Sequence, residues 1–394
     1  NDQKVMLNKG DEFTITTDDI LGTVKRVSTT FKGLPGDCRP GDRLLIDDGN
    51  VAVRVTAVTD TDVITKVEVP GYVSNHKGLN LPGVAVSVPA LSEKDRDDLR
   101  WAITIGADLI ALSFVRTADD IKDVHDIMDE AGVRIPVIAK IEKPQAVENL
   151  FDIVSAFDGI MVARGDLGVE MPLEAVPLVQ KRAIELARRQ AKPVIVATQV
   201  LESMIQNPRP TRAEASDCAN AILDGADAVM LSGETSVGAY PIEAVRTMAN
   251  IIENVEQHGG ERIAPLGSYP QTRGGALTRA AAEMGEQLDI TYLVTFTQSG
   301  DTARRLSRLR SPLPLLAFTP LHSTRNQLAV SWGVQTYEVP EVKHTDDMVV
   351  QVDELLQSKH LARPGDGVII VAGMPPGTPG STNSIRLHTV GETD

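Results

Sequence analysis

Two apolar runs that end in charge carry the chemistry of this chain: Pro136-Val-Ile-Ala-Lys-Ile-Glu142 and Gly159-Ile-Met-Val-Ala-Arg-Gly-Asp166. A near-continuous Val/Ile run bounded by turn residues reads as a parallel strand covered on both faces. Lys140, Glu142 and Asp166 then fall at the carboxyl ends of two successive buried strands. Side chains alternate along a strand, so Lys140 and Glu142 share a face. The step from Glu142 to Asp166 has the length of one strand-helix-strand unit. Two carboxylates and an ammonium therefore converge at one end of a sheet. Hard oxygen ligands of this kind suit Mg²⁺ or Mn²⁺, with positions left open for the oxygens of an anionic substrate. A lone Lys-Glu pair beside an Asp in a turn reads first as a structural ion pair. Recurrence of the pattern tips the reading towards a site.

Further runs ending in polar residues follow: Asp108–Phe114, Pro193–Gln199 and Ala226–Glu234. Helical patterns fill the intervals at Ala118–Ala131, Leu173–Gln190, Arg212–Asp224 and Pro241–Gln257. Five strand-helix units in a row, polar only at the strand ends, predict part of a TIM-type (β/α)8 barrel with its site at the C-terminal face. Before them, residues 1–83 are short β-rich runs (Glu12–Thr17, Arg43–Ile46, Val51–Val58, Val63–Val69) cut by Gly, Pro and Asp, which predict a small β-barrel. Asp47-Asp48-Gly49 is a hairpin turn signal. The barrel part is predicted over 84–258. After a polar stretch with Gly and Pro, residues 259–394 alternate strands (Thr291–Thr297, Leu315–Thr319, Gly333–Glu338, Gly367–Ala372) with helical segments and predict a doubly wound α/β domain.

Composition fits this organisation. At 394 residues the chain has room for two or three domains. Its two cysteines, Cys38 and Cys218, make no disulfide framework and point to a reducing cytoplasm. No apolar run is long enough to span a membrane. The net charge of −15 argues against nucleic acid as a partner. It is uneven: Asn1–His258 holds 27 basic and 40 acidic residues, net −13, leaving −2 for the rest, which is more receptive to anions.

Several of these runs resemble signatures of the pyruvate kinase family. They are Ile135–Val147, Met161–Val169, Ala197–Met204, Asn207–Glu214 and Asp227–Thr235, in the family's order and almost end to end along the chain. The resemblance implies phosphoryl transfer from phosphoenolpyruvate to ADP, giving pyruvate and ATP in glycolysis. It implies Glu142 and Asp166 as ligands of Mg²⁺ or Mn²⁺. Lys140 is implied beside the transferring phosphoryl group, and Gly165 and Asp166 open a helix that receives the substrate carboxylate. Thr198 becomes the hydroxyl near the methylene carbon, and Lys77 the lysine that reaches nucleotide phosphates. Ser113 and Ser232, at equivalent strand ends, are weaker candidates for lining the pocket. A K⁺ requirement and a homotetramer belong to the same implication. Asn1 falls inside what resembles the family's inserted small domain, so the first barrel strands, roughly 90 residues or fewer at about 30 per βα unit, are expected to lie outside this sequence.

In the third domain, Thr297, Ser299, Gly300 and Thr302 follow a strand and precede a helical run bearing Arg304, Arg305, Arg308 and Arg310. Gly377, Thr378 and Ser381 lie in a Gly/Pro-rich loop expected over Gly373–Asn383. Hydroxyls and free N–H groups at a helix start make a phosphate cradle. By resemblance this is where a phosphorylated allosteric effector sits. Asp301 there opposes a doubly phosphorylated sugar, and a solvated basic helix at an interface is the plainer reading of the arginines. Two other functions stay open: a metal-dependent enolate lyase or aldolase on a barrel, and a non-catalytic fragment that retains effector binding.

Overall fold

The computed structural model describes residues 4–47, 49–84, 91–267, 270–377 and 380–392, so Thr378 lies outside the described residues. The N-terminal part contains β1 (Val5–Leu7), β2 (Glu12–Thr16), β3 (Arg26–Ser28), α1 (Leu34–Asp37), β4 (Arg43–Ile46), β5 (Val51–Val58), β6 (Asp62–Val69), β7 (Gly71–Val73) and β8 (Leu79–Asn80). Six of these strands form one sheet in the order β3-β2-β6-β5-β4-β8, and β1 pairs with β7. Val53, Val55, Val63 and Val67 point into its core while Arg54 lies outside and pairs with Glu68. That alternation is the mark of strands with one wet face.

The central part carries α2 (Glu93–Thr104), β9 (Ile110–Leu112), α3 (Ile121–Glu130), β10 (Val137–Ile141), α4 (Pro144–Glu148), α5 (Leu150–Ala156), β11 (Gly159–Ala163), α6 (Arg164–Glu170) and α7 (Val176–Arg189). It continues through β12 (Val194–Ala197), α8 (Arg212–Asp224), β13 (Ala228–Val229), α9 (Gly233–Ser236) and α10 (Pro241–Gly259). Strands β9 to β13 form a parallel sheet in sequential order, as in a (β/α) barrel wall. Val137, Ala139, Ile141, Ile160, Val162, Val194 and Val196 face the helices. The opposite face places Ile138, Met161 and Ala197 in a second apolar cluster. Both faces being apolar explains the unbroken Val/Ile runs. Helix α7 supplies the stripe Val176, Val179, Ala183, Ile184 and Ala187 against β11 and β12. Helix α8 starts on a capping box: the Thr211 hydroxyl accepts from Glu214 N–H (3.2 Å), and the Glu214 carboxylate accepts from Thr211 N–H (2.7 Å).

The third part runs through α11 (Arg273–Gln287), β14 (Tyr292–Phe296), α12 (Asp301–Ser307), β15 (Leu315–Thr319), α13 (His322–Gln327), β16 (Val334–Glu338), α14 (Thr345–Ser358), β17 (Gly367–Gly373) and β18 (Thr382–Thr389). Its sheet order is β16-β15-β14-β17-β18, with β18 antiparallel to β17 and the rest parallel. Apolar clusters cover both faces, as a doubly wound sheet requires.

Three expectations need correction. The run Ala226–Glu234 yields only a two-residue strand, because the buried Glu234 carboxylate accepts from Ser232 N–H (2.8 Å) and Leu201 N–H (3.1 Å) and turns the chain into α9. The loop expected over Gly373–Asn383 is shorter, since β18 pairs with β17 from Thr382 onward. Arg308 and Arg310 lie beyond the end of α12 and reach into the barrel part instead of forming a solvated basic face. Arg308 Nη1 donates to Arg189 O (2.8 Å), and Arg310 Nη2 donates to Gly225 O (2.6 Å) and Asp227 Oδ1 (3.1 Å). From the other side, Arg188 Nη2 donates to Arg308 O (3.2 Å). Trp332 N–H also donates to Asp227 Oδ1 (3.1 Å), so one buried carboxylate joins the two parts.

At the start of β11, a Cβ on Gly159 would stand 2.6 Å from Ile138 Cδ1 and 2.9 Å from Pro193 O. Gly159→Ala is therefore expected to destabilise the fold by about 1–3 kcal/mol through overpacking, read as a lowered midpoint in urea unfolding with an unchanged slope.

Candidate active site

The register fixes the first half of the site. Lys140 lies opposite Met161 on β11, and its neighbour on β10, Ile141, points the other way and is fully buried. Lys140 and Glu142 consequently share the face that also carries Ile138. Glu142 is 1% exposed. An isolated carboxylate at that depth costs several kcal/mol, and the structure offsets the cost with two donors. Lys140 Nζ forms an ion pair with Glu142 Oε1, and Phe114 N–H donates to Glu142 Oε2 at 2.9 Å. Phe114 holds φ 57°, a strained value for an aromatic residue. Lys140 Nζ also donates to Ser113 Oγ (2.9 Å), so two consecutive positions just past β9, Ser113 and Phe114, steer one ammonium and one carboxylate.

The second half begins where β11 passes directly into α6. Asp166 sits in the first turn of that helix, whose start at Ala163 has no side-chain cap. The Thr198 hydroxyl, at the end of β12, accepts from Gly165 N–H (2.7 Å) and donates to Ala197 O (2.7 Å). A Cβ on Gly165 would approach that hydroxyl to 3.3 Å, which accounts for glycine there. Thr198 has φ 66° and Gln199 φ 52°, a left-handed corner that a β-branched residue adopts only under constraint. Arg164 supplies the constraint. Its Nη2 donates to Thr198 O (3.0 Å) and its Nη1 to Asp217 Oδ2 (2.6 Å). Lys140, Glu142, Gly165, Asp166 and Thr198 thus stand at the C-terminal ends of β10, β11 and β12. Ser232 follows β13 at the neighbouring strand end. Its backbone opens α9, with its carbonyl accepting from Ser236 Oγ (3.0 Å).

Among the described residues no three His, Cys, Asp or Glu side chains group as a metal site. Two carboxylates, Glu142 and Asp166, are what the chain offers, and a hard cation that keeps water and substrate oxygens as its other ligands fits such a sparse donor set. Both cysteines are buried and free, and burial pushes each thiol up to about 11.

Lys77 lies in the small sheet's domain and pairs with Asp47 Oδ1 (2.8 Å), in the turn between β4 and β5. The Lys77 ammonium holds the Asp47 carboxyl below its usual range. A second link between the parts runs through Glu170. Its carboxylate accepts from Asn80 Nδ2 (3.3 Å) and pairs with Lys143, whose ammonium stands 5.6 Å from the centre of the Phe114 ring.

In the third part, Thr297, Ser299, Thr302, Gly377 and Ser381 line one narrow cleft of about 50 Å³. Gly300, at φ 79°, begins α12, and its N–H donates to Thr297 Oγ1 (2.9 Å). Thr302 Oγ1 and Thr382 Oγ1 are 2.7 Å apart, and Asp301 is paired with Arg305. The sequence reading gave no role to Arg164, Glu170 or Phe114. A charged residue between an apolar run and Gly165 was the available signal for Arg164. Nothing in the sequence marks Phe114, because it contributes a backbone N–H.

Comparison with known proteins follows the same outline. The family model described as pyruvate kinase, barrel domain, matches residues 1–245, and that of the pyruvate kinase alpha/beta domain matches residues 275–388. The pyruvate kinase of Mycobacterium tuberculosis is 58% identical over 386 residues, covering 98% of this chain and 82% of that protein. That of Geobacillus stearothermophilus is 43% identical over 395 residues, covering 98% of this chain and 67% of its own. A crystal structure of a pyruvate kinase from Cryptosporidium parvum superposes with a TM-score of 0.88 at 34% identity, over 98% of this chain and 80% of that one.

The Thr198 corner can be tested apart from any chemistry. Thr198→Val keeps the shape but strands Gly165 N–H, and should lower stability by about 1–3 kcal/mol. Thr198→Ser should stay within about 1 kcal/mol of the parent in thermal or denaturant unfolding.

Proposed function

The chain belongs to the pyruvate kinase family, and on that premise we propose how its own residues move a phosphoryl group from phosphoenolpyruvate to ADP. The reaction breaks the P–O bond to the enol oxygen and forms one to the β-phosphate of ADP. ATP leaves, and the enolate takes a proton at its methylene carbon to become pyruvate. Negative charge moves between oxygens throughout, so catalysis consists of fixed positive charge and positioning. Reading the barrel as that of an enolate lyase, or the chain as a non-catalytic effector binder, is set aside by matches that run through both domains.

The observation that carries the assignment is Lys140, held by Ser113 Oγ and Glu142 at the open end of β10. Anchored on two sides, its ammonium has little freedom left, and its one remaining N–H serves an oxygen of the transferring phosphoryl group. Glu142 and Asp166 hold the divalent cation, Mg²⁺ or Mn²⁺. Once bound, that cation supplies Lewis-acid charge for the enolate and phosphoryl oxygens. The start of α6 at Gly165 takes the substrate carboxylate in the space a Cβ would narrow. Thr198 fixes that helix start through Gly165 N–H and presents its hydroxyl at the substrate's methylene side. Ser113 positions Lys140. Lys77 leaves Asp47 for the phosphates of ADP when the small domain swings over the site. K⁺ is the monovalent cofactor in this proposal.

The cleft lined by Thr297, Ser299, Thr302, Gly377 and Ser381, with Gly300 at its helix start, takes a phosphorylated effector. We place the protein as a homotetramer in the cytoplasm. Two free buried thiols agree with a reducing compartment, and no helix among the described residues is long and apolar enough to cross a membrane.

Two measurements test these roles. Lys140→Met is expected to lower kcat for pyruvate formation about 10²–10³-fold, the loss typical of one transition-state donor, while detritiation of labelled pyruvate stays measurable. Equal loss of both activities contradicts the division of labour. Lys77→Ala should raise KM for ADP about tenfold, equivalent to 1.4 kcal/mol, and Asp47→Asn should lower it. Unchanged KM values in both variants contradict the nucleotide role.

A further inference from the structure

Glu170 closes α6 and takes no part in the phosphoryl transfer described above, yet it is a charged group only 8% exposed. A carboxylate at that depth is unfavourable without compensation. Lys143 provides it, with Nζ paired to Glu170 Oε1 at 2.5 Å. Asn80 Nδ2 donates to the same oxygen at 3.3 Å. One partner belongs to the barrel and the other to the small domain, so a single carboxylate oxygen holds both.

The three segments that meet there are the ones that carry the site. On α6, Asp166 and Glu170 are four residues apart and lie on one face of the helix. Lys143 follows Glu142 directly and precedes Pro144. A residue before proline is confined to extended backbone, here φ −120° and ψ 146°. From that position its ammonium stands 5.6 Å from the centre of the Phe114 ring, within cation–π range. Phe114 in turn aims its N–H at Glu142 Oε2 from a left-handed conformation. Asn80 lies on β8, which pairs with β4. The turn after β4 begins at Asp47, the partner of Lys77, and Asp47 N–H donates to Gly78 O (3.0 Å) just before β8. Contacts from Glu170 therefore lead to Glu142 on one side and to Lys77 on the other.

From this convergence we infer that Glu170 is a positioning residue for both halves of the reaction: it holds the divalent-cation site in shape and docks the small domain beside it. The inference rests on the roles proposed above for Glu142, Asp166 and Lys77. Through Lys143 it fixes the Phe114 ring, and with it the N–H that orients Glu142. Through Asn80 it sets the strand that follows Lys77. A carboxylate suits this place because it accepts from an ammonium and an amide at once, whereas a glutamine would leave Lys143 without a counter-charge.

The test compares the full chain with Glu170→Gln, Lys143→Gln, Lys143→Arg, Asn80→Ala and Glu142→Gln, the fold of each checked by circular dichroism. Mn²⁺ affinity is read from the paramagnetic resonance signal of the free ion, and the Phe114 amide is followed by hydrogen exchange. Glu170→Gln and Lys143→Gln are expected to weaken Mn²⁺ binding about tenfold and to speed exchange at Phe114. Lys143→Arg should lose less, since a guanidinium also pairs with a carboxylate and lies over a ring. Asn80→Ala should leave Mn²⁺ binding unchanged and raise KM for ADP about threefold at constant kcat. A merely structural pair would lower stability and move none of these readouts. Parent-like Mn²⁺ affinity or Phe114 exchange in folded Glu170→Gln overturns the inference, as does an unchanged KM for ADP in Asn80→Ala. Should Glu170→Gln fail to fold, Lys143→Gln and Asn80→Ala decide the matter by the same readouts. Glu142→Gln separates this inference from the reading beneath it. If that variant binds Mn²⁺ as tightly as the parent, the metal assignment fails and the inference with it; if it loses Mn²⁺ while Glu170→Gln does not, only the inference fails.

Discussion

A carboxylate buried at the end of a strand sets the terms for the rest of this structure. Glu142 can sit at 1% exposure only because Lys140 and the Phe114 N–H meet its two oxygens. Each partner imposes its own demand. Lys140 must share the inner face with Glu142, which fixes the register of β10 against β11. Phe114 must turn through a left-handed conformation to aim its N–H, which ends β9 early. Two apolar layers hold these strands rigid, so the charged groups meet with little freedom to relax. That rigidity is what electrostatic preorganisation needs: donors already aimed before charge develops.

The same economy recurs one strand on. Arg164 ties the carbonyls of the β12 corner to Asp217 on α8, and the corner in turn ties the start of α6 through Thr198. Further out, Asp227 binds Arg310 and Trp332 of the third domain while its other oxygen accepts from Val194 N–H of β12 (3.0 Å). A shift of the third domain therefore bears on the strand that ends at Thr198. This contact is a physical link between the third domain and the strand end that carries Thr198.

Much of this was legible in the sequence. Alternation alone placed Lys140 and Glu142 on one face, and strand-helix spacing brought Asp166 to the neighbouring strand end. Arg43–Ile46, Val51–Val58 and Leu315–Thr319 agree with the structure to the residue. What sequence could not give depends on backbone or on distance along the chain. Phe114 acts through its N–H, so its side chain carries no signal. Thr198 is a β-branched residue at positive φ, against its own preference, and tertiary contacts override that preference. Arg308 and Arg310 continue the basic spacing of α12, yet the helix stops at Ser307, and their partners lie over 80 residues away. The Gly- and Pro-rich composition before Thr382 hid the start of β18, an antiparallel strand that follows no crossover helix.

The most direct test of the account is the position of the divalent ion. Crystals grown with Mn²⁺ and oxalate, a planar dianion that mimics the enolate of pyruvate, would show the metal by its anomalous signal. The account expects one strong peak within coordination distance, about 2.0–2.3 Å, of carboxylate oxygens from both Glu142 and Asp166, with oxalate completing the shell beside Lys140. A peak that binds neither carboxylate, in crystals where oxalate is ordered, contradicts it.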